Sequence, residues 1–583
     1  GTIKNIETMN VKTVGDLTLN TTTVEGLETL NTTKTLFAKL TAATTTDVNV
    51  SGASGVITVD GGKNISVTDA TVNKDITIGA GTKNAGTITV TDTKQGNGEV
   101  KIQGGTDVTV TTTGSVKTGG LGTTADITIG GATVAEQASG AVIVNATGAA
   151  YAAGTASTMG NISVTGGKTI SVTQKATSDA SKAAADESAK DMTQGKVTIV
   201  AGATTTDVTV KQDADVTAKD AVDSTGGATE TVSVKFIKAD AGQTVILGGL
   251  TLKATVNMTA AEVAAAFANL AANAAIPSDA AANAADGDTQ GAAASTKGIF
   301  TGSLDKWTTG AATGDTVVFT YTTANKAPLA TDLVAGGGAG TAAPTPTVIT
   351  TGKAHNATPT GGVMGVNAGV VDINATASVT TVTVDGYDAT ASKIQHTTTN
   401  TALATINLSN GGDMDVASAA ATLALNLTNV SGTVDVKANT TTINATVNGD
   451  ATTTATIASA SATTLKVSGA GNVDGTTATG GLAAATSINT ADLTGTATFT
   501  LAKGITTTYT GGAGVDSVTV TDAVSITKAI NLGDGNDTLT LGGTLASTVV
   551  AAGITATIDG GAGTADTISL STLAAADDAL SLD

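Results

Sequence analysis

Apolar residues recur two apart along most of this chain, with threonine or serine between them. Ile57-Thr58-Val59, Ile65-Ser66-Val67, Ile76-Thr77-Ile78 and Ile88-Thr89-Val90 set the pattern, and Val108-Thr109-Val110, Ile127-Thr128-Ile129 and Ile162-Ser163-Val164 continue it. A period of two marks strands with one buried face, and Gly, Asn and Asp gather between the runs where turns belong. Recurrence about every 8 to 12 residues fits an antiparallel sandwich or a stacked solenoid. The length over which the pattern runs, and the scarcity of aromatic residues, favour the solenoid. A repeat suggests the coil length: Ile6-Glu7-Thr8-Met9-Asn10 returns as Leu27-Glu28-Thr29-Leu30-Asn31, 21 residues later. No proline precedes Pro277, so every backbone N–H in the first half is free to join a ladder.

Two stretches break the rhythm. Ser178 to Gly195 is rich in Ala, Lys, Asp and Glu and reads as a polar loop or short helix leaving the stack. Residues 231–346 read as an inserted α+β domain. Its strand candidates are Val232 to Ile237, Thr244 to Leu247, Leu250 to Val256 and Thr316 to Tyr321. Thr259-Ala260-Ala261-Glu262 is a capping box, and the helix it opens puts Val263, Phe267 and Leu270 on one face before Pro277 stops it. Trp307, Phe236, Phe267, Phe300, Phe319 and Tyr321 gather here, which favours a core role for Trp307 over sugar stacking. The run Gly336 to Pro346 reads as the return linker. The expected organisation is a mainly β chain: a parallel β-solenoid over 1–230, the α+β insertion over 231–346, solenoid again over 347–500, and solenoid with calcium-type turns over 501–583.

Composition narrows the partners. The 583 residues include 40% hydrophobic but only 2% aromatic side chains, so a thin core of stacked aliphatic residues is expected. There is no cysteine and no arginine, and the net charge is −20. Nucleic-acid binding, which rests on Lys and Arg neutralising phosphate, is argued against. An acidic chain suits the gathering of divalent cations. No apolar run is long enough to span a bilayer. The chain opens with Gly1, which leads us to expect a further N-terminal portion.

The chemistry is concentrated near the C-terminal end. Gly511-Gly512-Ala513-Gly514-Val515-Asp516-Ser517-Val518-Thr519 has the form G-G-x-G-x-D-x-U-x, the calcium-binding nonapeptide of parallel β-rolls. Its glycines permit tight turns that aim carbonyl oxygens inward, and its aspartate supplies the hard anionic oxygen that calcium prefers. A second match, Gly533-Asp534-Gly535-Asn536-Asp537-Thr538-Leu539, has Leu532 in place of the first glycine. A third, Asp559-Gly560-Gly561-Ala562-Gly563-Thr564-Ala565-Asp566-Thr567-Ile568, carries one extra residue before its aspartate. The candidate metal-site residues are therefore Gly512, Gly514, Asp516, Gly533, Asp534, Gly535, Asp537, Asp559, Gly561, Gly563 and Asp566. Asn410-Gly411-Gly412-Asp413 and Gly469-Ala470-Gly471-Asn472-Val473-Asp474 are degenerate versions that read as plain turns.

With these motifs, the Ile-Glu-Thr-x-Asn opening and the Thr/Gly/Ala-rich strands, the sequence resembles the calcium-dependent surface-layer (S-layer) proteins of Gram-negative bacteria that carry RTX-type nonapeptide repeats. That resemblance implies type I secretion, calcium-driven folding outside the cell and self-assembly into a two-dimensional lattice. It also implies anchoring to surface polysaccharide through an N-terminal region outside this sequence. The motif aspartates carry over as Asp516, Asp537 and Asp566. In a β-roll the motifs follow every nine residues and neighbours share an ion, whereas these aspartates stand 21 and 29 residues apart, which suggests isolated sites on successive coils.

Other readings remain open. An extracellular adhesin or filament subunit would share the fold, the calcium and the secretion route. A β-helical polysaccharide-acting enzyme would need a base and cations to neutralise a uronate, and the chain offers only His355 and His396, in polar surroundings, and no arginine. No enzymatic activity is expected. The Thr-x-Thr strands resemble ice-binding solenoids, but the irregular coil lengths argue against one flat threonine face.

Overall fold

The structure is a computed structural model. It describes residues 3–114, 124–150, 157–178, 192–215, 230–271, 297–304, 306–322, 333, 345–350, 366–395, 400–437, 439–450, 452–476, 481–501, 506–521, 526–545 and 556–573. Two parallel sheets of 18 strands each run through it. Successive strands alternate between them, so each coil contributes one strand to the first sheet, turns, contributes one to the second, and turns back. The fold is a parallel β-solenoid. An antiparallel sandwich is excluded, because every pairing within both sheets is parallel, as from Ile57–Gly61 to Ile76–Ile78 and from Ile65–Asp69 to Ile88–Asp92.

The alternation seen in the sequence is the mechanism of this stacking. In strand Ile57–Gly61 the side chains at 57 and 59 are buried, and the same holds at 76 and 78 in the next coil. Register is kept from coil to coil, so Ile57, Ile76, Val100, Ile127, Ile162 and Val197 form one continuous buried column. A matching column in the first sheet runs Val48, Ile65, Ile88, Val108, Val142 and Ile170. Burying each such side chain contributes roughly 1.5–3 kcal/mol, and their β-branched shape suits the pleat. The 21-residue repeat is one coil: Thr8, Met9 and Asn10 pair with Thr29, Leu30 and Asn31. On the outer face the Nδ2 of Asn31 donates to Asn10 Oδ1 at 2.8 Å, and that of Asn49 to Asn31 Oδ1 at 2.9 Å.

The solenoid does not stop at the insertion. Strand Asp207–Asp215 pairs directly with Thr381–Tyr387, and Val197–Val200 with Val371–Asn374. The stack is continuous across an excursion of the chain. One compact unit holds residues 1–179, 190–216 and 364–583, and a second holds 180–189 and 217–363.

The second unit has its own core. Strands Trp307–Thr309, Thr316–Tyr321, Thr231–Lys235 and Thr345–Thr350 form an antiparallel sheet in that order, and Thr244–Leu247, Leu250–Ala254 and Gly298–Gly302 form another. Phe236, Phe267, Phe300, Phe319, Trp307 and Tyr321 are all buried in one cluster. The Trp307 ring stands edge-on to Tyr321 at 5.1 Å. The capping box is present, with Thr259 Oγ1 accepting from the N–H of Glu262 and the Glu262 side chain accepting from the N–H of Thr259. The helix is shorter than the sequence suggests. It ends at Ala266, and Asn269, in the left-handed region at φ 56°, turns the chain well before Pro277. Thr345 and Pro346, expected in a linker, belong to the edge strand Thr345–Thr350. His355 and His396 lie outside the described residues, as do residues 179–191, most of the polar stretch near 178–195, and Pro277. Among the described residues no helix is long and apolar enough to cross a membrane.

Candidate metal centre

The three glycine turns occupy the same corner of successive coils, where the first sheet passes to the second. Strand Thr508–Thr510 leads into the first turn and Asp516–Val520 leaves it. Ser517 pairs with Thr538 and Thr538 with Thr567, so Asp516, Asp537 and Asp566 stand in one column. Separations of 21 and 29 residues are each one full coil. The extra residue of the third motif is absorbed locally. Asn536 Oδ1 accepts from the N–H of Thr564 at 3.2 Å, and the register is in step again by Thr567, which pairs with Thr538.

The backbone at these turns is packed too closely for any side chain. A Cβ added to Gly561 would overlap the carbonyl oxygen of Gly533, and one added to Gly535 would overlap that of Gly514. Gly561 sits at φ 84° and Gly535 at φ 143°, which L side chains rarely adopt. The remaining glycines fall into the same two columns: Gly512 and Gly533 stack toward Gly561, while Gly514, Gly535 and Gly563 stack on one another. Carbonyl oxygens crowd this corner as a result. The N–H of Asp534 donates to Gly512 O at 2.7 Å and that of Ala562 to Gly533 O at 3.1 Å.

The three aspartates are not equivalent. Asp516 is buried, and both of its carboxylate oxygens are engaged. Oδ1 accepts from the Tyr509 hydroxyl at 2.7 Å, and Oδ2 accepts from the N–H of Gly512 at 3.1 Å. Burial pushes its carboxyl up to about 6, against the pull of those two donors, and the charge of Asp537 adds to the rise. Asp537 is also fully buried, but only Oδ1 is engaged, by the N–H of Asp516 at 2.8 Å. Its Oδ2 is buried without a hydrogen-bond partner. Burial raises this carboxyl too, and the charges of Asp566 and Asp534 push the same way. Asp566, exposed on the last described coil, accepts from the N–H of Asp537 at 3.1 Å. Asp559 closes its own turn by accepting from the N–H of Gly561 at 3.0 Å, as Asn531 does for Gly533 one coil earlier.

The residues present suit a hard cation at Asp537, whose Oδ2 is a buried carboxylate oxygen without a partner and whose carboxyl feels the charges of Asp566 and Asp534. They do not fit one at Asp516, whose oxygens are filled by protein donors. Among the described residues no three Asp, Glu or His side chains converge to hold a metal by themselves, so backbone oxygens would have to complete any shell here. Tyr509, not anticipated from the sequence, belongs to this corner. Burial, then the neighbouring Asp516, raises its hydroxyl above the ordinary range, and its ring lies 5.7 Å from that of Phe499. The signal that could have found it is its place two residues before Gly511; elsewhere in the stack Tyr387 also reaches a glycine turn, that of the next coil, by donating to Gly412 O at 3.1 Å. The degenerate turns behave as turns: Asp413 Oδ1 accepts from the N–H of Thr433 at 2.7 Å and Asn472 Oδ1 from that of Thr496 at 3.0 Å.

No protein-family model matches the chain, and no curated protein matches it either.

Proposed function

We propose that this protein is a structural component of the bacterial cell surface that binds calcium at its C-terminal coils and assembles into an S-layer lattice. The observation that carries the reading is the column Asp516, Asp537 and Asp566, aligned between two stacks of glycine turns at one corner of the solenoid. Calcium suits that corner because it accepts six to eight oxygens in flexible geometry, whereas magnesium demands a strict octahedron and keeps its waters. Asp537, with carbonyl oxygens of the glycine stacks, would hold it, and the charges of Asp566 and Asp534 would add to the attraction. Asp516 sets the column in place.

Charge supports assembly through a divalent ion. At −20 overall, copies of the chain repel one another until cations bridge or neutralise them. The extended outer faces, set with Thr, Asn and Lys, offer wide surfaces for repeated contact. Type I secretion, an extracellular location and attachment to surface polysaccharide complete the proposal.

Electron micrographs taken while calcium is titrated into the purified protein test it. Two-dimensional sheets that form with calcium, dissolve with chelator and do not form with magnesium are expected. Calcium-induced fibres would favour the adhesin or filament reading, and particles that stay monomeric at millimolar calcium would overturn the proposal.

A further inference from the structure

The same corner of the solenoid holds a second group of buried oxygens far from the glycine motifs. Asp69 ends strand Ile65–Asp69, Asp92 ends Ile88–Asp92, and the two are register partners on adjacent coils. Thr112 is the partner of Asp92 on the next coil. All three point inward and are essentially inaccessible. They replace the aliphatic residues that fill the neighbouring inward positions.

Their hydrogen bonding is incomplete in one consistent way. Asp69 Oδ1 accepts from the N–H groups of Ala70 and Thr71, at 2.7 and 2.9 Å, and Asp92 Oδ1 accepts from that of Lys94 at 2.9 Å. Each Oδ1 thus closes a turn. Asp69 Oδ2, Asp92 Oδ2 and Thr112 Oγ1 are all buried with no hydrogen-bond partner. In the turn that follows Asp92, the Gln95 amide is anchored through its Nε2 to the carbonyls of Gly98 and Ala125, at 3.1 and 3.2 Å. Its Oε1 is a fourth buried oxygen without a donor. Adjacent parallel strands lie about 4.8 Å apart, so the two carboxylates are close neighbours in a medium that screens charge poorly. Buried acceptors without donors, and buried like charges without a counterion, are each costly enough to be rare in native proteins.

We propose that Asp69, Asp92 and Thr112 form an internal calcium site that clamps three successive coils together. Two carboxylates balance one divalent charge, a hydroxyl and an amide carbonyl add neutral oxygens, and the absence of nitrogen or sulfur donors points to a hard ion. The larger, more adaptable shell of calcium suits ligands drawn from separate strands better than the octahedron of magnesium. No nine-residue motif marks the site, because its ligands come from three coils of unequal length. It is separate from the C-terminal turns and does not depend on them.

Calcium bound by the full chain, counted by equilibrium dialysis, tests the assignment in wild type, Asp92→Asn, Thr112→Val and Asp537→Asn. Asp92→Asn should bind one calcium fewer than wild type. Thr112→Val, which keeps the shape of the side chain and removes its oxygen, should weaken one ion without losing the fold and decides the matter if Asp92→Asn fails to fold. Asp537→Asn reports on the C-terminal turns alone, so either site can fail without the other. Melting adds a sign: Asp92→Asn should melt above wild type in chelator, where it removes a buried like charge, and below it in calcium. Counts and affinities unchanged in both Asp92→Asn and Thr112→Val overturn the proposal and leave a shared proton as the neutraliser of the pair.

Discussion

Oδ1 of Asp537 accepts the backbone N–H of Asp516 at 2.8 Å, one coil away. The side chain takes the place of a backbone acceptor where the chain leaves its glycine turn, and Asp566 repeats the arrangement for Asp537 at 3.1 Å. The carboxylate column is therefore built into the ladder itself. Asp537→Ala should strand a buried N–H and cost about 1–3 kcal/mol. Asp537→Asn, which keeps the acceptor, should cost less in chelator while abolishing the part of the calcium response that belongs to the C-terminal coils. Denaturant titrations with and without calcium check both, and equal losses in the two variants would show that hydrogen bonding alone matters.

Acidity should stabilise the protein when calcium is removed. The Asp516 carboxyl is raised from its ordinary 3.8 to about 6, and that of Asp92 to about 7, in both cases mainly by burial. A raised carboxyl contributes stability that is complete below its unfolded value and is lost as pH rises through its folded value. In chelator the melting temperature should climb as pH falls from neutral toward about 4, and calcium should flatten the climb. Asp92→Asn should remove the portion nearest neutrality. Melting curves that fall steadily on acidification would contradict this assignment.

Gly535→Ala should loosen the last coils. The new Cβ would meet the carbonyl oxygen of Gly514 at a φ of 143°, so both contact and backbone resist it. Strain of this kind costs about 1–3 kcal/mol. Hydrogen exchange should quicken around 530–570 and stay unchanged around 48–110; uniform protection at both ends would refute the close packing.

Phe267→Ala should unfold the inserted unit and spare the solenoid. Phe267 stacks on Phe236 at 5.0 Å and meets Phe300 edge-on at 5.3 Å, inside a core that draws only on its own unit. Removing a buried phenylalanine costs about 3–5 kcal/mol. Calorimetry should show one transition moving down and another holding still. A single transition that shifts as a whole would mean the two units melt together.

Much of the fold was legible in the sequence because it is written locally. Ile76-Thr77-Ile78 gives its period, its burial and its outward threonine without reference to anything distant. The repeat from Thr8 to Thr29 gave the coil, since those residues are register partners. What stayed hidden depends on stacking. Asp516, Asp537 and Asp566 look isolated at 21 and 29 residues apart, and only the register of the coils shows that both intervals are one turn of the same column. Asp69, Asp92 and Thr112 share no motif and become neighbours only once the register of their three coils is known. Asn269, not Pro277, turns the chain after the inserted helix, a choice of backbone conformation that helix propensity does not encode.

The direct pairing of Asp207–Asp215 with Thr381–Tyr387 sets an order on how the molecule forms. Thr380 and Thr206 are hydrogen-bonded across 174 residues of chain. An ordinary coil closes a loop of about 20 residues, and the logarithmic growth of closure entropy makes this one only about 2 kcal/mol dearer. The encounter is costly in time more than in free energy, because such distant contacts slow folding far more than they weaken the product. Each half of the ladder can zip along itself from any coil, then wait for the other. Refolding should accordingly show a fast phase that builds strands and one slower phase, set by this seam, in which the two halves become a single stack.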